Sequence, residues 1–117
     1  MIPTPLLVGL GGGAGAVLRY GVGKALDGLD APFPASTLAV NGLGTFALGL
    51  LTFAGAGDDA LLLFGTGTCG AFTTFSSFSV ETVRALENGD RWLAVGYAGG
   101  TLVLAGVGLG IAWLLVG

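Results

Sequence analysis

Histidine is absent from the 117 residues, and cysteine occurs once, at Cys69. A single thiol forms neither a disulfide within one chain nor a metal-binding cysteine pair. Without imidazole, Ser-His-Asp and Cys-His catalysis are excluded, as are histidine metal sites. Charge is also scarce. Lys+Arg number 4 and Asp+Glu 7, or 9% of the chain, where soluble domains average about 25%. A soluble domain of this length keeps much of its surface in water, and eleven charges do not cover it. Disorder is excluded as well, because 53% of the residues are hydrophobic. Four basic residues and a net charge of −3 leave no basic patch for nucleic acid. No Lys or Arg precedes Arg19, so the first apolar run lacks the basic leader of a secretory signal.

What remains is a chain of long uncharged runs. Met1–Leu18 carries no charge, nor do the 27 residues Ala31–Gly57, the 21 residues Ala60–Val80 or the 26 residues Trp92–Gly117. About 20 predominantly apolar residues cross a bilayer as a helix. Three runs meet that length outright, and the first does so if Arg19 lies inside the span. The expectation is one all-α membrane domain over residues 1–117, with spans at about 4–26, 36–56, 60–84 and 92–115. Short turn-like connections join them: Asp27-Gly28-Leu29-Asp30, Gly57-Asp58-Asp59 and Asn88-Gly89-Asp90. A multi-pass protein of the cell membrane follows.

Glycine, with 24 residues, stands at close to three times its usual share of about 7%. In lipid, helices associate through close packing, which small residues permit. The pairs Gly9 and Gly13, Gly11 and Gly15, Gly96 and Gly100, and Gly106 and Gly110 read as packing faces. Four short helices with thin faces leave little room for a lined pathway, which predicts a homo-oligomer. The string Gly65-Thr66-Gly67-Thr68-Cys69-Gly70 fits a dinucleotide fingerprint, but it lies in an uncharged membrane run and not after a strand.

The third run is the informative one. Eleven of its residues 65–79 are Gly, Thr, Ser or Cys, which makes a poor continuous helix. In lipid a broken backbone is tolerated only where it is buried in protein or lines a wet cavity. A break there predicts function, because freed carbonyls bind cations. Phe72, Phe75 and Phe78 recur every three residues and are expected on one helical face, either as a packing stripe or as ring edges turned toward a small anion. Thr37, Asn41, Thr45 and Thr52, spaced by 4, 4 and 7, form a polar stripe on the second span, and Tyr97 and Thr101 a weaker pair on the fourth. Arg19 reads either as an intramembrane functional residue or as a side chain that reaches the interface beside Lys24. Glu81 reads either as a continuation of the phenylalanine face or as a helix-end carboxylate beside Arg84.

These strings resemble the Fluc (CrcB) fluoride channels. The resemblance is carried by Gly12-Gly13-Ala14-Gly15-Ala16-Val17-Leu18-Arg19-Tyr20 and by Thr37-Leu38-Ala39-Val40-Asn41-Gly42-Leu43-Gly44-Thr45-Phe46. The most specific string is Gly70-Ala71-Phe72-Thr73-Thr74-Phe75-Ser76-Ser77-Phe78-Ser79-Val80-Glu81. It implies four membrane helices per subunit, a broken third helix and an antiparallel dual-topology homodimer with two fluoride pores at the interface. It implies a fluoride pathway along Asn41, Phe75, Phe78, Ser76, Thr37, Tyr97 and Thr101, with Arg19 and Glu81 as charged functional candidates. It further implies a structural Na⁺ at the dimer centre, held by main-chain carbonyls at Gly70 and Thr73. Ala105 and Val107 depart from it, standing where the fourth helix of the family often continues its hydroxyl track. The function implied is passive exit of cytoplasmic fluoride, with no catalysis.

Two further expectations concern partners. On these spans Lys24, Arg84 and Arg91 fall on one side and no basic residue on the other, which favours one fixed orientation. The partner is then a second copy or an oppositely oriented paralogue. The competing reading, a small four-helix proton-coupled drug exporter, needs a carboxylate within the first span, and none precedes Asp27.

Overall fold

A computed structural model of the chain describes residues 2–26, 28 and 34–117. The loop between the first two spans, with Asp27 and Asp30, lies outside the described residues. The rest is helical. Helix α1 spans Thr4–Leu26 and α2 spans Ala35–Phe53. Helix α3 has three consecutive stretches: Asp58–Ala60, a widened π-helical stretch over Leu61–Cys69, and Gly70–Phe72. Helix α4 spans Phe75–Glu87 and α5 spans Arg91–Val116.

Apolar runs become helices in lipid because a helix satisfies its own backbone hydrogen bonds. At 1.5 Å per residue, α1, α2 and α5 are each long enough for a hydrocarbon core of about 30 Å, and all three are apolar enough to cross it. Their ends have local causes. Helix α2 stops at Phe53, three residues short of the expected limit, because Gly55 turns the chain with φ +73°. Helix α5 starts where the Asp90 carboxylate accepts from the Leu93 amide at 3.3 Å, a side-chain N-cap. Lys24 in the last turn of α1 complements the helix dipole.

The core is thin and made of small side chains. Val40 is the only large side chain among the described residues that is completely enclosed. Leu7, Ala94, Tyr97 and Ala112 are also buried, while Trp92, Leu114 and many other large apolar residues face outward. Such an exterior suits lipid, which is as apolar as the side chains themselves.

Helix α1 packs on α3 through two glycines. A Cβ on Gly11 would overlap the Leu63 carbonyl, and one on Gly15 would overlap the Thr68 carbonyl. The two backbones therefore touch directly at these points. Helix α2 packs along α5, where Gly49 meets Ala112 and Gly108 meets Phe46. The other expected glycine pairs behave differently. Gly9, Gly13, Gly96, Gly100, Gly106 and Gly110 have open space where a side chain would stand, so within one chain only Gly11 and Gly15 pack as a pair.

The phenylalanine spacing also requires correction. Phe72 closes α3, and Thr73 and Thr74 are extended, with ψ of 163° and 115°. Phe75 opens α4. Three residues apart means one face only along an unbroken helix, so Phe75 and Phe78 share a face and Phe72 does not.

Gly11→Ala is expected to force α1 away from α3 and to destabilise the protein by about 1–3 kcal/mol, the usual cost of overpacking. Gly9→Ala, which meets nothing, is the matched control. Thermal unfolding of the purified protein in detergent compares the two.

Candidate functional site

The site forms where helical hydrogen bonding stops after Phe72. In an unbroken helix the Thr74 amide would return to the Gly70 carbonyl. Here it donates to Asn41 Oδ1 at 2.7 Å, and Asn41 Nδ2 donates back to the Thr74 carbonyl at 3.0 Å. The Asn41 amide on α2 thus supplies the acceptor that the Thr74 N–H loses. It adds a second donor to the Thr74 carbonyl, which as N-cap already accepts the first bond of α4. The Ser77 amide, which would return to the Thr73 carbonyl, is capped by Thr74 Oγ1 at 3.2 Å. The carbonyls of Gly70 and Thr73 therefore both lose their helical donors. The Thr73 hydroxyl donates back to Cys69 O at 3.0 Å.

Thr74 is the shared wall of two cavities. On one side lies an open groove of about 540 Å³ whose lining includes Asn41, Thr45, Thr73, Phe75, Phe78 and Thr101. None of its described lining residues is charged. On the other side lies a smaller cavity of about 200 Å³ bounded by Arg19, Ser36, Thr37 and Ser77. Arg19 reaches across from α1, and its Nη2 donates to Ser77 Oγ at 3.1 Å. Arg19 is therefore turned inward onto α4.

An aromatic row borders the groove. Phe75 and Phe78 have ring centroids 6.0 Å apart with planes at 41°, and Phe78 and Tyr97 lie 5.4 Å apart at 37°. Such tilted pairs present hydrogen-bearing ring edges as well as faces. Phe75 is 79% exposed, at the mouth of the groove. Tyr97 is buried, and its hydroxyl donates to Glu81 Oε1 at 3.1 Å. Glu81 thus orients Tyr97, which in turn backs Phe78.

The hydroxyls divide by where their protons go. Thr45 donates to Asn41 O at 2.7 Å, and Thr101 donates to Tyr97 O at 2.8 Å, each one turn back on its own helix. Those protons are committed to the backbone, as threonine in a helix commonly arranges. Ser76 is exposed and lies 3.4 Å from Thr74 by hydroxyl oxygens. The donors left for a ligand in the groove are the second N–H of Asn41, the Thr74 hydroxyl and the ring edges. A small, hard anion is the guest such a set suits, because each partner offers hydrogen and none offers a full positive charge.

Of the residues expected from the sequence, the structure brings Asn41, Phe75, Phe78 and Thr101 to the groove, while Ser76 is exposed and outside its lining. Gly70 and Thr73 also border it. Thr37 and Arg19 border the smaller cavity, and Tyr97 with Glu81 stands behind the rings. Thr52, the last member of the α2 polar stripe, is exposed near the helix end and meets neither cavity. Sequence reasoning passed over Thr74 and Ser77 as individual residues. Their signal was present as a Thr three residues before a Ser at the start of a helix, an N-cap spacing.

The family model described as CrcB-like protein, Camphor Resistance (CrcB), matches residues 6–117. The chain belongs to the CrcB family. Among its relatives, the fluoride-specific ion channel FluC 2 of Haloarcula marismortui is 56% identical, over 94% of this chain and 91% of that protein. The fluoride-specific ion channel FluC 1 of Halobacterium salinarum is 53% identical, over 97% and 94%. The fluoride-specific ion channel FluC of Thermus thermophilus is 48% identical, over 93% and 89%. The matched region contains both cavities and the whole Asn41–Thr74 junction.

Asn41→Leu removes both bonds to Thr74 and leaves its buried N–H unpartnered, while the Thr74 carbonyl keeps the first helical donor of α4. A loss of about 1–3 kcal/mol is expected, the cost of one such group. The midpoint of thermal unfolding in detergent, relative to wild type, measures it.

Proposed function

We propose that this CrcB-family chain forms a fluoride-selective channel of the cell membrane, through which cytoplasmic fluoride leaves the cell passively. The observation that carries the reading is the uncharged groove at the helix interruption, lined by Asn41, Thr74, Phe75 and Phe78 together. The names of the relatives support the choice of ion. Fluoride enters cells as neutral HF and ionises inside, so an open anion path lowers its internal level without an energy source. Selectivity arises from replacing the ion's water with a few hydrogen-bearing groups in a narrow space. No step of this requires a catalytic residue.

In this reading α3 and α4 form one interrupted third membrane span, which completes a four-helix subunit. The pathway uses Asn41, Ser76, Phe75 and Phe78 as ion contacts, with Thr37, Tyr97 and Thr101 along its walls and Arg19 and Glu81 near its ends. One chain leaves the groove open and Phe75 in contact with the surroundings. A second, oppositely oriented chain closes it, giving an antiparallel pair with two pathways at the interface. The ridges of Gly96, Gly100, Gly106 and Gly110 on α5 have room for such a partner. A structural Na⁺ at the centre of the pair fits the carbonyls of Gly70 and Thr73, whose helical donors are directed elsewhere. Bound there, a cation would supply positive charge to the carbonyls of Gly70 and Thr73.

Liposomes containing the purified protein are expected to release fluoride, read with a fluoride electrode. Phe75→Ile and Phe78→Ile are each expected to slow release at least fivefold, the effect of losing about 1 kcal/mol of ring contact. Unchanged release in both variants would remove the rings from the pathway, and no release from wild type would end the fluoride assignment. Crosslinking of two differently tagged copies expressed alone tests the pairing. A mixed, functional crosslinked pair is expected, whereas single copies without activity would assign the second position to an oppositely oriented paralogue.

A further inference from the structure

We propose that the end of α1 holds the phosphate of an anionic lipid headgroup between Arg19, Tyr20 and Lys24. A cleft of about 380 Å³ opens on the outer surface of α1, lined by Ala16, Arg19, Tyr20, Gly23, Lys24 and Ala71. Two of these six residues are cations and none is acidic, so the cleft attracts an anion. This cleft shares no lining residue with the groove, although Arg19 also borders the smaller cavity, and it does not rest on the choice of permeant ion.

The parts are held in place. The bond from Arg19 Nη2 to Ser77 Oγ fixes one corner of the guanidinium. Among the described residues Ser77 is the one side-chain acceptor it meets, and its planar fork matches phosphate oxygens. The Lys24 ammonium lies 6.0 Å from the centre of the Tyr20 ring, within reach of a cation–π attraction. The Tyr20 ring is 68% exposed, and tyrosine favours the headgroup level of a bilayer.

Depth and surroundings select a lipid over a free ion. Lys24 stands two residues from the end of α1, and Arg19 about 7.5 Å deeper at 1.5 Å per residue. A lysine at the depth of Lys24 extends toward the headgroups, while Arg19 is held by Ser77 at the inner end of the cleft. The remaining walls, Ala16, Gly23 and Ala71, are apolar and small. They suit acyl chains lying along α1 and offer nothing to a hydrated phosphate.

The test uses the full-length protein, stripped of lipid in detergent. Phosphatidylglycerol, phosphatidylcholine and inorganic phosphate are each added, and bound lipid is counted by native mass spectrometry beside the thermal midpoint. Phosphatidylglycerol is expected to remain bound and to raise the midpoint, and the other two to do neither. Lys24→Gln is expected to weaken phosphatidylglycerol binding about fivefold, with fluoride release from phosphatidylcholine liposomes equal to wild type. Equal retention of the two lipids, or equal affinity in wild type and Lys24→Gln, would overturn the site. Inorganic phosphate acting as well as the lipid would overturn the lipid occupant. The release assay reads the channel assignment separately, so failure of either is recognisable.

Discussion

The structure depends on one side-chain amide. Asn41 supplies an acceptor to the Thr74 N–H that the helix interruption would otherwise strand, and its own N–H ties the Thr74 carbonyl to α2. Inside a membrane there is no water to take over that role, so an interruption without such a partner costs several kcal/mol. The rest of the site follows from the clamp. With Thr74 held, its hydroxyl caps α4, the phenylalanines of α4 take their direction, and Ser77 comes within reach of Arg19. Asn41 is thus a structural residue and a candidate ligand at the same time, and its two N–H groups divide those tasks.

The glycines explain how so small a chain positions the clamp. Gly11 and Gly15 bring α1 against the backbone of α3, and Gly44 meets Thr73 where a Cβ would overlap the methyl group. These contacts pin the stretch before the interruption from two sides. The outward glycines of α5 make no such contact within the chain. Composition therefore states that glycine is abundant, while only the fold separates those that pack internally from those left on the surface.

Much of this architecture could be read from residues alone. Charge scarcity, run lengths and turn residues suffice for helices α1, α2 and α5, because length and hydropathy alone decide membrane passage. Asn41, Phe75 and Phe78 stood out because an amide and paired rings are unusual in an apolar run. What escaped depends on geometry at the scale of one hydrogen bond. Phe72 has the same spacing as its neighbours, and only the extended Thr73 and Thr74 remove it from their face. Thr45 and Thr101 look like donors in a stripe, yet their protons are spent on carbonyls one turn back. Gly9 and Gly13 match Gly11 and Gly15 in spacing, and rotation by 100° per residue puts them on another side of the helix.

The widened stretch Leu61–Cys69 has a consequence for register. Gly11 and Gly15 are four residues apart, while the carbonyls they touch, at Leu63 and Thr68, are five apart. Ordinary α-helical pitch on one side is thus matched to the i→i+5 pitch on the other, as the divisions of a vernier scale coincide at chosen marks. The Thr68 hydroxyl, donating to the carbonyl five residues back at 2.9 Å, follows the same longer count. Removing a single residue from this stretch would barely alter composition and hydropathy and would leave every motif downstream intact. It would also swing Thr74 by about 100°, out of the reach of Asn41. In this chain the count of residues before the interruption matters as much as their chemistry.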